Sequence, residues 1–481
     1  MKRSFLILLL LLLVRITIWP QTRTLSLERT IDLAREQSVA ARKANTVKVT
    51  RYWEWRAFKS NYRPSITWSG QAPGFSRTSK EVIQPDGTVR FQSISQNNYV
   101  SLVSLSQPIA LTGGALFIGT YLQRFDDLNQ DNTLYNGIPL QLGISQPIFA
   151  YNPLKWDKRI EPLRYRESQQ VYVADMEEIG VTALDYFFNL QIAQIDYAIA
   201  ATNGTNTDTI FRITSEKYNL GKVSRNDLLQ LKLEKLKAAK ALAQAQQDLK
   251  TAELDLGSYI GFRDLTDVRL VLPENIREVD VREETALKEA LENRPEAISF
   301  ARRDLEAEKE VAQAKGSTGF SAGLTGTLGF AKTGDRIGDI YRNPPDQQTL
   351  SLTFNFPIVD WGRSKSQIET ARANQQLALT EIEQDRIDFE QQLLTEVGRF
   401  HRFYTQVDLN REMDELAQDR YQIAQDRFIA GNLGITELVI ALQDKDRAKR
   451  DYVLSLRDYW RSYYLIRLLT LYDFEKAQKL K

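Results

Sequence analysis

The sequence predicts a mainly α-helical protein that also carries β-hairpins and is built from two copies of one plan. The first observation is a repeated corner between helices: KYNLGKVSRNDLLQLK at 217–232 matches RFIAGNLGITELVIAL at 427–442, 210 positions later. The second is a set of strands that alternate apolar and polar residues at the same place in both halves. Together they predict a repeat of helix, strands, long helix, corner and long helix.

The repeat extends to the early part of each half, but at a different spacing. At an offset of 256, three pairs match: Ala34 with Ala290, Ser65 with Ser321, and Gly70 with Gly326. The change from 256 to 210 leaves the first half 46 residues longer. Because the sequence SQPI occurs at 106–109 and again at 145–148, we expect an inserted hairpin near 110–145, with two additional strands.

These landmarks divide the chain into five parts. They are a signal peptide (1–21), a first repeat (22–258), a connector (259–282), a second repeat (283–472) and a C-terminal tail (473–481). The signal peptide is predicted from the basic residues Lys2 and Arg3 and the short apolar run that follows them. Helices are expected at 25–61, 153–219, 223–258, 283–315, 362–430 and 435–472.

The helix expected at 223–258 carries a heptad seam of leucine and alanine that is interrupted only at Lys235. The seam recurs 210 residues later, where Lys445 repeats the interruption. The two hairpins are therefore expected to make equivalent coiled-coil contacts. A helix of about 67 residues would be a rod of roughly 100 Å, several times the width of a compact domain.

The predicted strands have one apolar and one polar face. Residues 350–358 and 320–330 both alternate in this way over about 10 residues, a length that fits either an outer-membrane strand or a soluble sheet. Three prolines, Pro64, Pro147 and Pro357, stand at the junctions between strands and helices. If these strands cross a bilayer, several chains must close one barrel, because hydrocarbon does not tolerate open sheet edges.

Composition argues against other classes of function. Lys and Arg number 63 against 62 for Asp and Glu, so no net charge attracts nucleic acid, and none is expected as a partner. The chain has no cysteine and a single histidine, His401, which cannot complete a metal site by itself. No nucleotide loop or hydrolase elbow is present. We expect no enzyme activity, no catalytic residue, no metal and no cofactor.

The ordered set of motifs resembles the TolC family of outer-membrane efflux channels. The likeness is carried by LSLERTIDLAREQS at 25–38 with its partner ETALKEALENRPE at 284–296, and by LSLTFNFPIVDWGRSKSQIETARAN at 350–374. The two glycine corners and the long Leu/Ala helices that follow them complete it. The resemblance covers nearly the whole chain after the signal peptide.

The resemblance implies a homotrimer in the outer membrane of a Gram-negative bacterium. Its strands would form a shared twelve-stranded barrel in contact with outer-membrane lipid, and its helices a tunnel across the periplasm. The protein would be the passive exit duct of a tripartite efflux or type I secretion system, supplied by an inner-membrane transporter and a periplasmic adaptor (membrane fusion) protein. The residues leave open which compound or protein is exported.

The resemblance also assigns roles at the corners. The tips that would dock the adaptor contain Tyr218, Leu220, Gly221, Val223, Phe428, Gly431, Leu433 and Gly434. Asp227 and Glu437 would form the periplasmic aperture as acidic rings. Two positions depart from the family pattern: Leu433 stands where an arginine gate partner can occur, and Ile440 where a second carboxylate can occur. On the residues alone, the two corner glycines are simple helix stops.

The main alternative is an exported periplasmic coiled-coil scaffold without a pore. It explains the heptad seams and the corners, and it predicts a water-soluble protein. It does not explain why alternating strands join helices through proline at the same place in both halves. Whether the inserted strands near 110–145 join a barrel or lie above the membrane is left open by the sequence.

Overall fold

A computed structural model describes residues 23–262, 268–276 and 278–481, arranged as two compact units. The first unit contains residues up to Lys48, Gln170–Arg294 and Asp388–Lys481. The second contains Val49–Gln169 and Pro295–Ile387. The predicted signal peptide, residues 1–21, lies outside the described residues.

Eight α-helices are found in the described part of the chain. They are α1 (Leu27–Gln37), α2 (Val39–Ser60), α3 (Pro153–Asn219), α4 (Arg225–Ile260), α5 (Glu283–Asn293), α6 (Pro295–Thr318), α7 (Arg363–Ile429) and α8 (Ile435–Thr470). None of the helices in these described residues is long and apolar enough to cross a membrane.

The helices confirm the double repeat. The bounds of α1 and α5 differ by 256 positions, and each helix has 11 residues. The long helices α3 and α7 each have 67 residues, α4 and α8 each have 36, and both pairs are offset by 210. The offset of 256 therefore relates the short early helices of the two repeats, and the offset of 210 relates their long helices.

The prediction of one continuous helix at 25–61, and of another at 283–315, is wrong. Both are interrupted after 11 residues, at Ser38 and at Arg294, which have extended backbone. In the second repeat Pro295 disfavours helical backbone at the residue before it. In the first repeat the Ser38 hydroxyl accepts a hydrogen bond from Ala41 N–H at 3.0 Å and so begins a new helix without a proline.

The core of the first unit is rich in aromatic residues. Phe187 and Phe188 from α3, Phe400 from α7 and Tyr459 from α8 are almost fully buried and belong to one cluster with α1 and α5. Two short strands, β1 (Arg23–Leu25) and β6 (Val268–Leu270), pair in parallel, and β6 lies in the expected connector. A hairpin of β9 (Tyr472–Asp473) and β10 (Gln478–Lys479) follows α8.

The second unit contains one antiparallel sheet of six strands in the order β2-β3-β4-β5-β7-β8. The strands are β2 (Ser65–Ile83), β3 (Val89–Ile109), β4 (Gly114–Asp127), β5 (Asn132–Ile148), β7 (Ser321–Gly334) and β8 (Asp346–Asn355). A short 3₁₀ helix, Ile337–Tyr341, follows β7. The inserted segment forms β4 and β5, which lie in the middle of the sheet, between β3 and β7.

The two SQPI sequences have the same local structure. At the end of β3 the side-chain amide of Gln107 donates a hydrogen bond to the carbonyl oxygen of Pro108 at 2.8 Å. At the end of β5 Gln146 does the same to Pro147 at 2.7 Å. The repeated motif therefore marks strand ends where the glutamine side chain satisfies a backbone acceptor.

Candidate functional site: the two helical corners

The corners between α3 and α4 and between α7 and α8 have the same backbone. In the first, Lys222 N–H donates to Lys217 O at 2.9 Å and Gly221 N–H to Tyr218 O at 2.8 Å. In the second, the equivalent bonds run from Asn432 to Arg427 at 2.8 Å and from Gly431 to Phe428 at 3.0 Å. This pattern satisfies carbonyl groups at the helix end and defines a Schellman motif.

Glycine is required at both corners by backbone conformation. Gly221 has φ of 71° and Gly431 has φ of 84°, in the left-handed region. Nothing lies within 4 Å of a Cβ built at either position, so a larger residue meets no steric obstacle from its neighbours. The cost of replacing either glycine therefore comes from the backbone, at about 1 kcal/mol.

The helices that leave the corners begin differently. Ser224 caps α4: its hydroxyl accepts from Asp227 N–H at 3.1 Å and donates to the Asp227 carboxylate at 2.7 Å. Gly434 occupies the equivalent position before α8 and provides no side-chain cap. Glu437 is the counterpart of Asp227, and its side chain turns back toward Gly434. Its Oε2 lies 2.5 Å from the position that a Cβ atom would occupy if residue 434 had one.

The two carboxylates predicted to line an aperture, Asp227 and Glu437, therefore have different surroundings. Asp227 is committed to a capping box, which a Ser-x-x-Asp sequence at 224–227 could have indicated. Glu437 is exposed, and the described residues form no hydrogen bond or ion pair with its side chain. Of the two, Glu437 is the carboxylate that no hydrogen bond from the described residues holds in place.

The apolar residues predicted at the tips fall into two groups. Phe428 and Leu433 pack against a small buried cluster, the corner core, formed by Ile210, Leu231, Tyr421, Ala424, Ile435, Leu438 and Ala441. Tyr218 and Leu220 remain exposed, and Val223 is half-buried. Tyr218 and Leu220 are therefore the predicted tip residues that offer apolar surface to another molecule.

Lys217 joins the two corners, a role that the sequence did not reveal. Its ammonium group donates to the carbonyl oxygen of Ile429 at 3.3 Å and lies 6.0 Å from the centroid of the Phe428 ring. Ile429 is the last residue of α7, whose carbonyl has no partner within its own helix. The contact depends on residues more than 200 positions apart, so no local pattern signals it.

The lysines that interrupt the two heptad seams have aromatic partners. Lys235 lies 5.4 Å from the ring centroid of Phe211 and also forms an ion pair with Asp208. Lys445 lies 4.6 Å from the ring centroid of Tyr421. Phe211 and Tyr421 are themselves related by the offset of 210, so the two repeats share this cation–π contact.

The three junction prolines lie at strand ends in the second unit. Pro64 immediately precedes β2, and Pro357 follows the end of β8. Pro147 is the penultimate residue of β5, opposite Gly323 of β7. Pro64 lies between the end of α2 and the start of β2, and Pro147 and Pro357 lie where a strand ends before a helix begins.

The family profile described as outer membrane efflux protein matches residues 118–262 and 286–469. These two segments contain both corners and cover more than half of the chain. The chain belongs to the outer membrane efflux protein family. The resemblance to TolC-like channels found in the sequence is thereby confirmed, together with the two-repeat fold.

Solved structures of membrane proteins, outer-membrane channels among them, show the same fold. A membrane protein from Pseudomonas aeruginosa is 12% identical, with a TM-score of 0.67 and coverage of 92% of this chain and 90% of that one. The CmeC outer membrane channel of Campylobacter jejuni is 17% identical, with a TM-score of 0.65 and coverage of 95% and 90%. The MtrE outer membrane channel of Neisseria gonorrhoeae, solved in an open state, is 15% identical, with a TM-score of 0.63 and coverage of 92% and 88%.

No protein of curated function matches the sequence significantly. The family match establishes an outer-membrane efflux protein, and this family acts in transport and not in enzyme chemistry.

Proposed function

We propose that the protein is the outer-membrane exit duct of a tripartite efflux or type I secretion system and works as a homotrimer. The observation that carries the proposal is the six-stranded sheet, which is apolar on one face and has two open edges. Such a sheet can cross a bilayer only if other copies close it into a barrel. The long helices of the same chains would then form the periplasmic tunnel.

Self-association is supported independently by the helices. Within one chain α3 packs against α8 through Ile199, Asn203 and Asn206, with Asn203 donating to Asp446 at 2.6 Å. The repeat places Leu409, Met413 and Leu416 of α7 at the positions equivalent to those three α3 residues. These α7 side chains are each at least half exposed within the chain.

The surface proposed to cover these side chains is α4 of a second copy. Leu229 and Leu236 of α4 are equivalent to Val439 and Asp446 of α8, which line the α3–α8 contact. Both leucines, and Leu233 between them, are more than half exposed. We infer that α4 of a second copy packs on α7 as α8 packs on α3, so that helical hairpins continue from one copy to the next.

This contact between copies can be tested at one residue. Leu236→Glu places a charge in the apolar seam and is expected to convert the trimer to monomers in detergent. Leu236→Met keeps an apolar side chain of similar size and should leave the trimer intact. Equal trimer content for both variants, measured by light scattering, would show that α4 does not form the seam.

The corners are proposed to dock the hairpin tips of a periplasmic adaptor that is linked to an inner-membrane transporter. Two similar corners in each of three copies would give six similar sites. The exposed side chains of Tyr218 and Leu220 supply the apolar contact. Leu220→Asp should reduce adaptor binding at least tenfold without changing the trimer, and undiminished binding would remove this corner from the proposed docking surface.

The experiment that tests the duct itself is single-channel recording in planar bilayers, using the detergent-extracted protein, with the oligomeric mass measured on the same sample. Discrete openings from a trimer are expected. A water-soluble protein that gives no conductance would contradict the proposal and favour a coiled-coil scaffold.

A further inference from the structure

The six strands of the sheet share one apolar face in a common register. One row of directly paired residues crosses five strands: Ile66, Leu105, Ile118, Leu142 and Leu328. A second row crosses four: Leu116, Ile144, Gly326 and Leu350. The two rows overlap on β4, β5 and β7, so together they extend the apolar band from β2 to β8 through the strands of the insertion; Gln348 on β8 continues the first row and Gln107 on β3 the second.

The opposite face of the same strands carries mostly polar and small residues, with the aromatic side chains of Phe117 and Tyr121 of β4 among them. Its corresponding row consists of Thr67, Ser104, Gly119, Gln141 and Gly329. Thr67 and Ser104 share a hydrogen bond of 2.9 Å between their hydroxyl oxygens. An alternation of this kind, apolar on one face and polar on the other, is typical of strands that separate lipid from an aqueous lumen.

The inserted strands are as long as a membrane crossing requires. β4 has 14 residues and β5 has 17, against about 10 for a tilted strand that spans the hydrocarbon core. Their apolar residues lie level with those of β3 and β7, because β4 pairs directly with β3 and β5 with β7. Placing β4 and β5 outside the membrane would break this register on both sides.

The exposure of the apolar face identifies the edges of the sheet. Ile118 and Leu142, in the middle, are 42% and 46% exposed, whereas Trp68 on β2 and Leu352 on β8 are 80% and 61% exposed. Within the described sheet β2 and β8 each have one neighbouring strand, so each leaves a row of backbone groups without a strand partner. These two edges are the places where another copy can be added.

We propose that every copy contributes all six strands, so that β2 of one copy pairs with β8 of the next and three copies close an eighteen-stranded barrel. This inference rests on the proposed function, which provides the trimer. The diameter of a barrel grows roughly in proportion to its number of strands, so this barrel is about 1.5 times as wide as the twelve-stranded barrel implied by the family resemblance.

Because the sequence contains no cysteine, a single cysteine can be introduced at a chosen position and labelled without a competing thiol. The full-length protein carrying Ile118→Cys, Leu142→Cys or Leu352→Cys is labelled with a fluorophore and reconstituted into vesicles with brominated lipid. All three labels should be quenched at least twofold more than a label at Gln141→Cys. Gln141 is the matched control because it adjoins Leu142 in β5 and belongs to the polar row.

The possible outcomes separate the inference from the proposed function. Quenching at Leu352→Cys without quenching at Ile118→Cys and Leu142→Cys would overturn the eighteen-stranded barrel and leave a membrane channel with fewer strands. No quenching at any of the three positions would overturn both. A particle with other than three copies, measured by native mass spectrometry, would overturn the number eighteen.

The closing edges are tested by disulfide formation between copies. Thr353→Cys on β8 is combined in turn with Ser65→Cys, Thr67→Cys and Ser69→Cys on β2, which samples neighbouring registers on the polar face. At least one pair should give covalent trimers after oxidation, whereas Thr353→Cys with Gln141→Cys should not. Failure of all three β2 pairs would show that these edges do not meet.

Discussion

The ammonium group of Lys217 donates a hydrogen bond to the main-chain carbonyl of Ile429 and so connects the corner of one repeat to that of the other. A positive charge at the end of a helix also interacts favourably with the negative end of its dipole. The two corners within a chain are therefore coupled, and a change at one is expected to affect the other.

Lys217→Met should loosen the end of α7 by removing this hydrogen bond while retaining most of the apolar stem. We expect amide hydrogen exchange at 425–431 to become about threefold to tenfold faster, which corresponds to a loss of roughly 1 kcal/mol. Lys222→Met is the control, since Lys222 is a lysine of the same corner whose side chain is exposed. An equal change in both variants would show that the Lys217 contact does not stabilise α7.

The two candidate aperture carboxylates should differ when they are neutralised. Glu437→Gln removes a free charge, and we expect it to reduce the preference for cations in reversal potentials measured across a salt gradient. Asp227→Asn should have a smaller effect on selectivity, because the Asp227 carboxylate is held in the Ser224 capping box. Unchanged selectivity in Glu437→Gln would show that Glu437 does not face the ion path.

Replacing Asp227 should reduce the stability of the protein more than replacing Glu437. Asp227→Ala breaks the capping box and should cost about 1 kcal/mol, whereas Glu437→Ala removes no cap. Thermal unfolding of both variants provides the comparison, and a larger loss in Glu437→Ala would contradict it.

The two lysines of the heptad seams should differ in their coupling to the aromatic rings. The Lys445 side chain is 12% exposed, and its ring contact is 4.6 Å, whereas Lys235 is 47% exposed with a contact of 5.4 Å. A double-mutant cycle with Lys445→Met and Tyr421→Leu should give about 1 kcal/mol, and the Lys235–Phe211 cycle about 0.5 kcal/mol. Equal coupling energies would argue that burial does not strengthen this contact.

The parts of the fold that the sequence predicted are those with local signals. The long helices end at glycine corners and carry heptad seams, so the bounds predicted for α3 and α7 agree with the structure to within a residue. The interruptions at Ser38 and Arg294 were both missed, although Pro295 is a local signal for the second break and a serine cap for the first. The position of β4 and β5 within the sheet could not be predicted, since strand order is set by pairing between distant segments.

At the candidate site, too, the sequence predicted the features with a local signal and missed the contacts between distant residues. Gly221 and Gly431 were recognised because left-handed backbone favours glycine, whereas the aromatic partners of Lys235 and Lys445 lie on the preceding helix and follow no local pattern. The difference between Asp227 and Glu437 was also missed, although Ser224 provides a capping signal that its counterpart Gly434 lacks.

A buried charge cluster near the C-terminus predicts how stability depends on pH. Arg467 donates to Asp473 at 2.7 Å and to Glu177 at 3.1 Å, and both carboxylates are almost completely buried. Burial acts to raise the pKa of Asp473, but the charge of Arg467 and hydrogen bonds from Lys476 N–H and the Tyr463 hydroxyl outweigh it. The pKa of Asp473 therefore lies below its ordinary value.

Because the folded-state pKa of Asp473 is depressed, its ionised form stabilises the fold fully above its ordinary pKa of about 4. This contribution is lost as the pH falls through the lower folded-state value. Asp473→Asn should lower the free energy of unfolding at pH 7 by on the order of 3 kcal/mol, since it leaves a buried arginine with one fewer charged partner. Thermal unfolding followed by circular dichroism should show this difference shrinking as the pH is lowered from about 5 to about 2.

A suitable control is Asp280→Asn, because Asp280 forms an ion pair with Arg282 in which both side chains are mostly exposed. This pair is screened by water, so its loss should cost less than about 0.5 kcal/mol at any pH. A difference between wild type and Asp473→Asn that stays constant down to the lowest pH would mean that the ionisation of Asp473 does not contribute to stability. In that case the effect of the variant would reflect altered packing around Arg467 and Tyr463.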